Sequence, residues 1–271
     1  MDKILRTLIC NGQVSLTVLD TTKLVQSAMD IHSLDGKAAK ILGGLLTCGA
    51  YLASSLKSER GSVSITVKAD GGDGAVSVSA DAALHIRGYA DGACNATLKG
   101  GSLTVVREDG FSNMPFVGNC EIDSDDISDI LELYFGQSEQ IPTAVNLSVS
   151  VEDGKCKFAG GVVMQLLPDA ADENVDTAST AFYAYKDDEN SLLNADGIYE
   201  KYFKELSDGE LTTLFPEYKC NCSENKIIGV LASVGKTELK NICREQGEVK
   251  VHCHYCNRDY IFNEEKIEDL F

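Results

Sequence analysis

The sequence predicts an α+β protein with a small separate unit at its C-terminal end, and three observations carry that expectation. Strict two-residue alternation runs through Val63, Ile65 and Val67, then Val76 and Val78. Apolar residues at helical spacing occur on both sides of this stretch. Four cysteines, Cys220, Cys222, Cys253 and Cys256, fall in one short segment near the end. Alternation gives antiparallel sheet with one buried face, helical spacing gives helices to cover it, and paired cysteines give a nucleus for a unit too small to build a large core.

The elements follow in order. Thr22 is positioned to cap a helix bearing Leu24, Val25, Ala28, Met29 and His32 at helical spacing. A second helix runs roughly from Gly36 to Leu56. Its Ala39, Gly43, Gly44, Cys48, Gly49, Ala50 and Ala53 allow close approach of another element, and its glycines make it depend on burial. The alternating segment reads as a meander: Val63 to Val67, the turn Gly71-Gly72-Asp73-Gly74, Val76 and Val78, then Leu84 and Ile86. Leu103, Val105 and Val106 predict a further strand. Ser124 is placed to start a helix with an acidic first turn and a stripe of Ile127, Ile130, Leu131 and Tyr134. A hairpin follows, with Leu147, Val149 and Val151 on one arm, Asp153-Gly154 turning, and Cys156 and Phe158 returning. Gly160 to Met164 reads as a buried strand.

Beyond Pro168 the character changes. Asp169 to Thr180 is acidic and small, which marks a linker. Ser191 to Leu206 then places Leu192, Ile198, Tyr199, Tyr202, Phe203 and Leu206 near one helical face, on helices that must dock to stay folded. In the last fifty or so residues, Ser223 caps a helix through Ile227, Ile228, Leu231 and Val234 that Gly235 stops. Thr237 and Glu238 open another with Leu239, Ile242 and Cys243, closed by Gly247. Val249 and Val251 lead a strand into Cys253, and Tyr260 and Phe262 lie on the strand leaving Cys256. Residues 1 to about 170 read as one α+β domain, followed by the linker, by helices that depend on docking and by a compact unit that a metal would stabilise.

Composition limits the partners. The net charge is −18 and the Lys and Arg residues are scattered. Such a surface repels phosphate backbones and anionic bilayers, so neither nucleic acid nor membrane is an expected partner. No stretch approaches the ~20 apolar residues that span a bilayer, and Met1-Asp2-Lys3-Ile4-Leu5-Arg6 does not open a signal peptide. Ten cysteines without an export signal predict a cytoplasmic setting, where they serve as thiols or metal ligands.

The four-cysteine pattern is C-x-C, thirty intervening residues, C-x-x-C. Two close pairs across a foldable segment suit tetrahedral thiolate coordination of zinc. Lys219, Lys250 and Arg258 are placed to offset the charge of four thiolates. His252 and His254 flank Cys253 but are not needed as ligands. The same sulfurs can be oxidised, with C-x-x-C closing a disulfide readily and C-x-C only in a cramped, easily reduced ring. A permanent structural clip is the plainer alternative. Cys10, Cys48, Cys94, Cys120, Cys156 and Cys243 lie in apolar contexts and read as small buried hydrophobes, Cys243 being also a candidate accessory thiol. No G-x-S-x-G, H-E-x-x-H or dinucleotide fingerprint occurs. His32 and His85 lack companions for nucleophilic catalysis, so no catalytic residues are expected.

These residues resemble the 33 kDa heat-shock chaperone family, the redox-regulated holdases, over nearly the whole chain. The resemblance is carried by Cys220, Cys222, Cys253 and Cys256 with the Pro216-Glu217-Tyr218 approach. It is carried further by Tyr134 to Thr143 (YFGQSEQIPT), by Gly160-Gly161-Val162 to Gln165-Leu166-Leu167-Pro168, and by Arg87-Gly88-Tyr89. The chain is somewhat short for it, and Gly72-Asp73-Gly74 lacks the usual following proline. The resemblance implies an ATP-independent chaperone, not an enzyme, with one zinc per chain in the reduced, inactive form. It implies Cys220–Cys222 and Cys253–Cys256 disulfides on oxidation, zinc release, linker unfolding, homodimerisation and binding of unfolding client proteins. It implies the finer division into a core domain at 1–175, a partly helical, metastable linker at 176–219 and a metal-binding unit at 220–271. The face from Leu192 to Leu206 is the expected client surface. The alternative from another class is a cytosolic enzyme or assembly factor whose four-cysteine site is only a clip.

Overall fold

Helix α2 is the centre around which the larger unit is built. In the computed structural model, which describes residues 1–70, 74–92, 97–112, 114–188 and 193–271, this helix spans Gly36–Ser54 and is buried on nearly every side from Ala39 onward. A helix apolar all round must lie inside a protein. Its glycines are there for clearance. A Cβ at Gly43 would stand 2.9 Å from a Val25 methyl, at Gly44 2.9 Å from Ile127, and at Gly49 2.7 Å from Val78. The neighbours come from two other helices and from a sheet.

The chain forms two units, Met1–Tyr218 and Lys219–Phe271. The first opens with strands β1 (Lys3–Ile9) and β2 (Val14–Asp20), helix α1 (Thr22–His32) and α2. Strands β3 (Ser62–Lys68), β4 (Gly74–Asp81), β5 (His85–Gly92), β6 (Ser102–Glu108) and β7 (Phe116–Glu121) follow, then α3 (Ile127–Tyr134) and a π-helical turn at Phe135–Glu139. Strands β8 (Thr143–Glu152) and β9 (Lys155–Leu166) precede helices α4 (Asp172–Lys186) and α5 (Ala195–Ile198). A second π-helical turn (Tyr199–Phe203), a 3₁₀ turn (Lys204–Leu206) and two short strands, β10 (Thr212–Leu214) and β11 (Glu217–Tyr218), end the unit.

Two sheets enclose α2. One has the order β10-β1-β2-β9-β8 and the other β11-β5-β4-β3-β6-β7. The expected meander is present as β3, β4 and β5, antiparallel, with Val63, Ile65, Val67, Val76, Val78 and Ile86 buried. These side chains share one core with α1, α2, α3 and one face of the five-stranded sheet. The opposite face of that sheet carries a second core. There Leu5, Ile9, Val14, Leu16, Val18, Phe158, Val162 and Met164 meet Ala178, Phe182, Tyr185, Ala195, Ile198, Tyr199 and Phe203. The mixed α+β fold with antiparallel sheets packed on helices is therefore the observed one.

Close strand approach explains the paired glycines of β9. This strand lies between β2 and β8. A Cβ at Gly160 would meet the Leu19 carbonyl oxygen at 2.1 Å, and one at Gly161 the Asn146 carbonyl oxygen at 2.0 Å. Both obstacles are backbone atoms of neighbouring strands. We expect Gly161→Ala to lower unfolding free energy by about 3 kcal/mol, the upper range for overpacking. The urea midpoint of the full-length protein measures it, and an unchanged midpoint would contradict this packing.

Two helix starts differ from expectation. Thr22 is already helical, and the orphan N–H groups of α1 are taken by a distant carboxylate. Asp2 accepts from Lys23 N at 2.8 Å and from Leu24 N at 2.6 Å, while Thr22 bonds Asp20. Burial of Asp2 raises its pKa, and the two N–H bonds work in the opposite direction. Helix α3 begins three residues after Ser124. Its cap is Asp126, which accepts from Ser128 N at 2.7 Å, because the Ser124 hydroxyl is engaged by Asp129.

The stretch read as an acidic linker contains a regular helix, α4, already from Asp172. Its first turn is acidic, and Gln13 of the β1–β2 turn accepts from Ala171 N and Asn174 Nδ2, both at 2.8 Å. Further on, β10 pairs antiparallel with β1, and β11 pairs parallel with β5. Tyr218 closes the unit: its hydroxyl donates to Gly88 O at 2.9 Å and lies 3.2 Å from His32 Nε2. The expected turn at Gly71-Gly72-Asp73 and the residues Cys94 and Leu192 lie outside the described residues.

The second unit holds α6 (Glu224–Val234), α7 (Lys236–Gln246), the hairpin β12 (Val249–Cys253) and β13 (Arg258–Phe262), and α8 (Glu264–Glu268). Ser223 caps α6 by accepting from Lys226 N, as its position predicts. Gly235 and Gly247, both at positive φ, end α6 and α7. Leu231, Leu239, Cys243, Val249, Tyr260, Phe262 and Ile267 form its core, and Cys222 and Cys253 pack against it.

Candidate metal centre

A short hairpin and an extended lead-in bring the four thiols together. Strands β12 and β13 run antiparallel, with Cys253 opposite Arg258 as the last pair before the turn. The turn is closed by Cys256 N and Asn257 N donating to Cys253 O at 3.3 and 2.9 Å. Asn257 takes φ 54°, a conformation that asparagine tolerates better than most residues. The Arg258 N–H turns back onto the Cys256 sulfur. In the lead-in, the Cys222 N–H does the same for Cys220. Each pair of cysteines thus forms a tight loop with one sulfur held by a backbone N–H.

The Sγ atoms of Cys220, Cys222, Cys253 and Cys256 all lie within 4.8 Å of one another. Cys220 Sγ is 3.7 Å from Cys253 Sγ, and Cys222 Sγ is 3.4 Å from Cys256 Sγ. Four sulfurs at about 2.3 Å from one ion stand about 3.8 Å apart at tetrahedral angles. The donor set and spacing therefore fit a tetrathiolate metal site. The side chains are half-buried, so the cluster sits at the border of its small core rather than inside it.

Electrostatics set Cys222 apart from the other thiols. Burial pushes Cys220 up to about 12 and raises Cys256, each within the coupled cluster. At Cys222 burial also opposes the charge, yet hydrogen bonds from Tyr260, Cys256, Cys220 and Cys253 outweigh it and bring the thiol down to about 7. Elsewhere burial drives thiols the other way: Cys48 up to about 12, Cys156 up to about 11, with Cys10 and Cys120 also raised. Cys10, Cys48 and Cys120 are buried core groups, as their context predicts, whereas Cys156 is only half-buried at the edge of the core. Cys243 is buried, its thiol facing Phe262 O at 3.8 Å.

The expected charge partners divide. Lys250 is committed to Asp259 at 2.9 Å, and His252 Nδ1 lies 2.7 Å from the same carboxylate. Arg258 instead faces the sulfurs, interacting with Tyr260, Cys256 and Cys222. Tyr260 was legible in sequence only as a residue of the strand leaving Cys256. Its hydroxyl donates to Cys222 Sγ at 3.1 Å, a role no spacing rule announces.

The expected client residues lie elsewhere, in the first unit. Ile198, Tyr199 and Phe203 are buried against the five-stranded sheet, and Tyr202 and Leu206 are partly buried there. Tyr202 packs edge-on against Tyr185 at 5.5 Å and donates to Asp188. The reading of the sequence missed β1 and β2, whose Leu5, Ile9, Val14, Leu16 and Val18 form the sheet face beneath them together with Phe158, Val162 and Met164 of the expected hairpin arm and buried strand, and it missed the Phe182–Tyr185 stripe of α4. The continuous apolar run of β2 is the signal that could have found the former.

The larger clefts of the first unit offer no comparable chemistry. One of about 340 Å³ lies between Lys37 and Lys40 on α2 and Asp125 and Asp126 before α3. Among the described residues, no helix is long and apolar enough to cross a membrane. Fold and site thus define a mixed α+β protein with a four-thiol metal-type centre in its own small unit.

Comparison with known proteins agrees. The family model described as Hsp33 protein matches residues 2–263. The 33 kDa chaperonin of Clostridium perfringens (strain SM101 / Type A) is 34% identical, over 99% of this chain and 91% of its own length. That of Clostridium botulinum (strain Langeland / NCTC 10281 / Type F) is 31% identical, over 99% and 97%. A crystal structure of a 33 kDa chaperonin (heat shock protein 33 homolog) from Thermotoga maritima superposes with a TM-score of 0.83, at 24% identity, over 99% of this chain and 97% of that one. The chain belongs to the Hsp33 family of heat-shock chaperones.

Proposed function

We propose that this protein is a redox-regulated, ATP-independent holdase of the cytoplasm, silent while its four thiolates hold zinc and active once they pair. The observation that carries this reading is the gathering of Cys220, Cys222, Cys253 and Cys256 within 4.8 Å at the edge of a core that packs on two of them. A unit of about fifty residues gains much of its stability from such a centre. Zinc bound there would neutralise charge and clamp the lead-in to the hairpin.

The chemistry belongs to the sulfurs. A thiolate gives an electron pair to one oxygen of a peroxide, the O–O bond breaks, and hydroxide leaves to become water. The resulting sulfenic acid is attacked by the neighbouring thiolate. An S–S bond forms and a second water departs. One peroxide thus removes two electrons from each pair, Cys220–Cys222 and Cys253–Cys256 in the pairing proposed here. Sulfurs bonded to each other no longer serve as ligands, and the small unit loses its clamp.

In the proposed division, 1–175 is the chaperone core, 176–219 the metastable linker and 220–271 the switch. The linker follows the physics of a docked segment: it is held by one apolar face and two short strands. Its release would uncover both its own Ile198, Tyr199, Tyr202, Phe203 and Leu206 and the sheet face they cover. Unfolding clients with exposed apolar segments are the partners for that surface, and active subunits form homodimers.

Peroxide at elevated temperature tests the reading. The reduced protein should hold about one zinc per chain, release it on oxidation and begin to suppress client aggregation, with dimers appearing in sedimentation. Zinc release without suppression of aggregation would end the holdase reading. Metal retained through full oxidant exposure would leave a permanent clip.

A further inference from the structure

The Tyr260 side chain has a task beyond filling the core. Its ring is buried among Leu231, Leu239 and Phe262, on β13 opposite Val251. A phenol placed there needs a partner for its hydroxyl. The partner is Cys222 Sγ at 3.1 Å, with the O–H donating. The Arg258 side chain, two residues earlier on the same strand, bonds that hydroxyl and faces Cys256 and Cys222 as well. A cation behind the phenol polarises its O–H toward the sulfur.

Hydrogen bonds to a thiolate withdraw electron density from the lone pair with which the sulfur attacks a peroxide oxygen. They also tune metal-bound sulfur, where outer partners change affinity or potential by sizeable factors. We infer that Arg258 and Tyr260 form a hydrogen-bond chain onto Cys222 that slows its oxidation, making Tyr260 a positioning residue that sets the oxidant threshold of the thiol switch. This rests on the redox reading above. The chain acts on the first electron-pair donation from Cys222 to peroxide, before any S–S bond forms, and it consumes nothing. It allows the Cys222 sulfur to survive low oxidant levels.

Tyr260→Phe in the full-length protein removes the hydroxyl and keeps the ring. The variant should fold and bind zinc with wild-type stoichiometry, yet release zinc to hydrogen peroxide about five- to tenfold faster, the size expected for one ordinary hydrogen bond. Its cobalt-loaded form should show thiolate-to-cobalt charge-transfer bands moved to lower energy, a signature a merely structural role would not produce. Arg258→Gln, an exposed substitution that leaves the phenol in place, should accelerate release by a smaller factor. Unchanged rates and an unchanged cobalt spectrum in Tyr260→Phe would overturn the inference. So would loss of zinc from that variant before any oxidant, which would make the hydroxyl a requirement for binding. If the wild-type protein itself binds no metal, the redox reading has failed rather than this refinement of it.

Discussion

Cys222→Ser is expected to cost more than 100-fold in zinc affinity, beyond what loss of an outer partner produces, and to leave the second unit largely unfolded in the reduced protein. The reasoning is local. Cys222 stands 3.4 Å from Cys256 Sγ, accepts the Tyr260 hydroxyl and packs on the core of Leu231, Leu239 and Phe262. Serine keeps the size but offers a weakly acidic alcohol in place of a thiol brought down to about 7. With three thiolates left, the lead-in is held to the hairpin at one sulfur fewer, and the unit has little else to stabilise it. Competition with a chromophoric chelator measures the affinity. Hydrogen exchange over residues 219–271 measures the folding. A variant that keeps both its zinc and its protection would remove Cys222 from the ligand set.

The second large effect concerns the proposed linker. Phe203 is fully buried in the core on the outer face of the five-stranded sheet. Truncating such a phenylalanine costs about 3–5 kcal/mol. The site lies in a docked segment rather than in the sheet, so that loss falls on docking. Phe203→Ala is therefore expected to show chaperone activity while still reduced and zinc-loaded, without peroxide. Light scattering by an aggregating client reads the activity, and hydrogen exchange across α4 to the 3₁₀ turn reports the loosening. A variant whose linker exchanges fast while the client still aggregates would show that this surface is not where clients bind.

Legibility in the sequence followed the range of the forces. The second unit was readable nearly residue by residue, because caps, glycine stops and the C-x-x-C turn are settled within a few positions: Ser223, Gly235, Gly247 and Cys253 to Cys256 all act where their neighbours predict. The meander was equally plain, since β3 and β4 bury one face only. Strand β2 was not, because Leu16, Val18 and Leu19 are buried toward two different cores and alternation vanishes. Helix α4 hid behind its composition. Its buried stripe is narrow, Ala178, Phe182 and Tyr185, and the rest is acidic or small. Strands β10 and β11 are three and two residues long and exist only through partners about two hundred and one hundred and thirty positions away. Helix α1 looked self-capped at Thr22 because nothing in its own neighbourhood reveals Asp2.

The two short strands carry a consequence for recovery after stress. Each is added to the rim of a sheet whose remaining strands pair without it: β1 stays bound to β2, and β5 to β4. Detaching residues 212–218 therefore sacrifices a handful of backbone bonds and leaves two open rims in unaltered register. Those rims persist as a mould for the departed segment. In the proposed switch, once the thiols are reduced again the returning chain would need only to find a waiting template, so re-silencing should be fast compared with folding of the whole body and should compete directly with any extended peptide bound along the same rims.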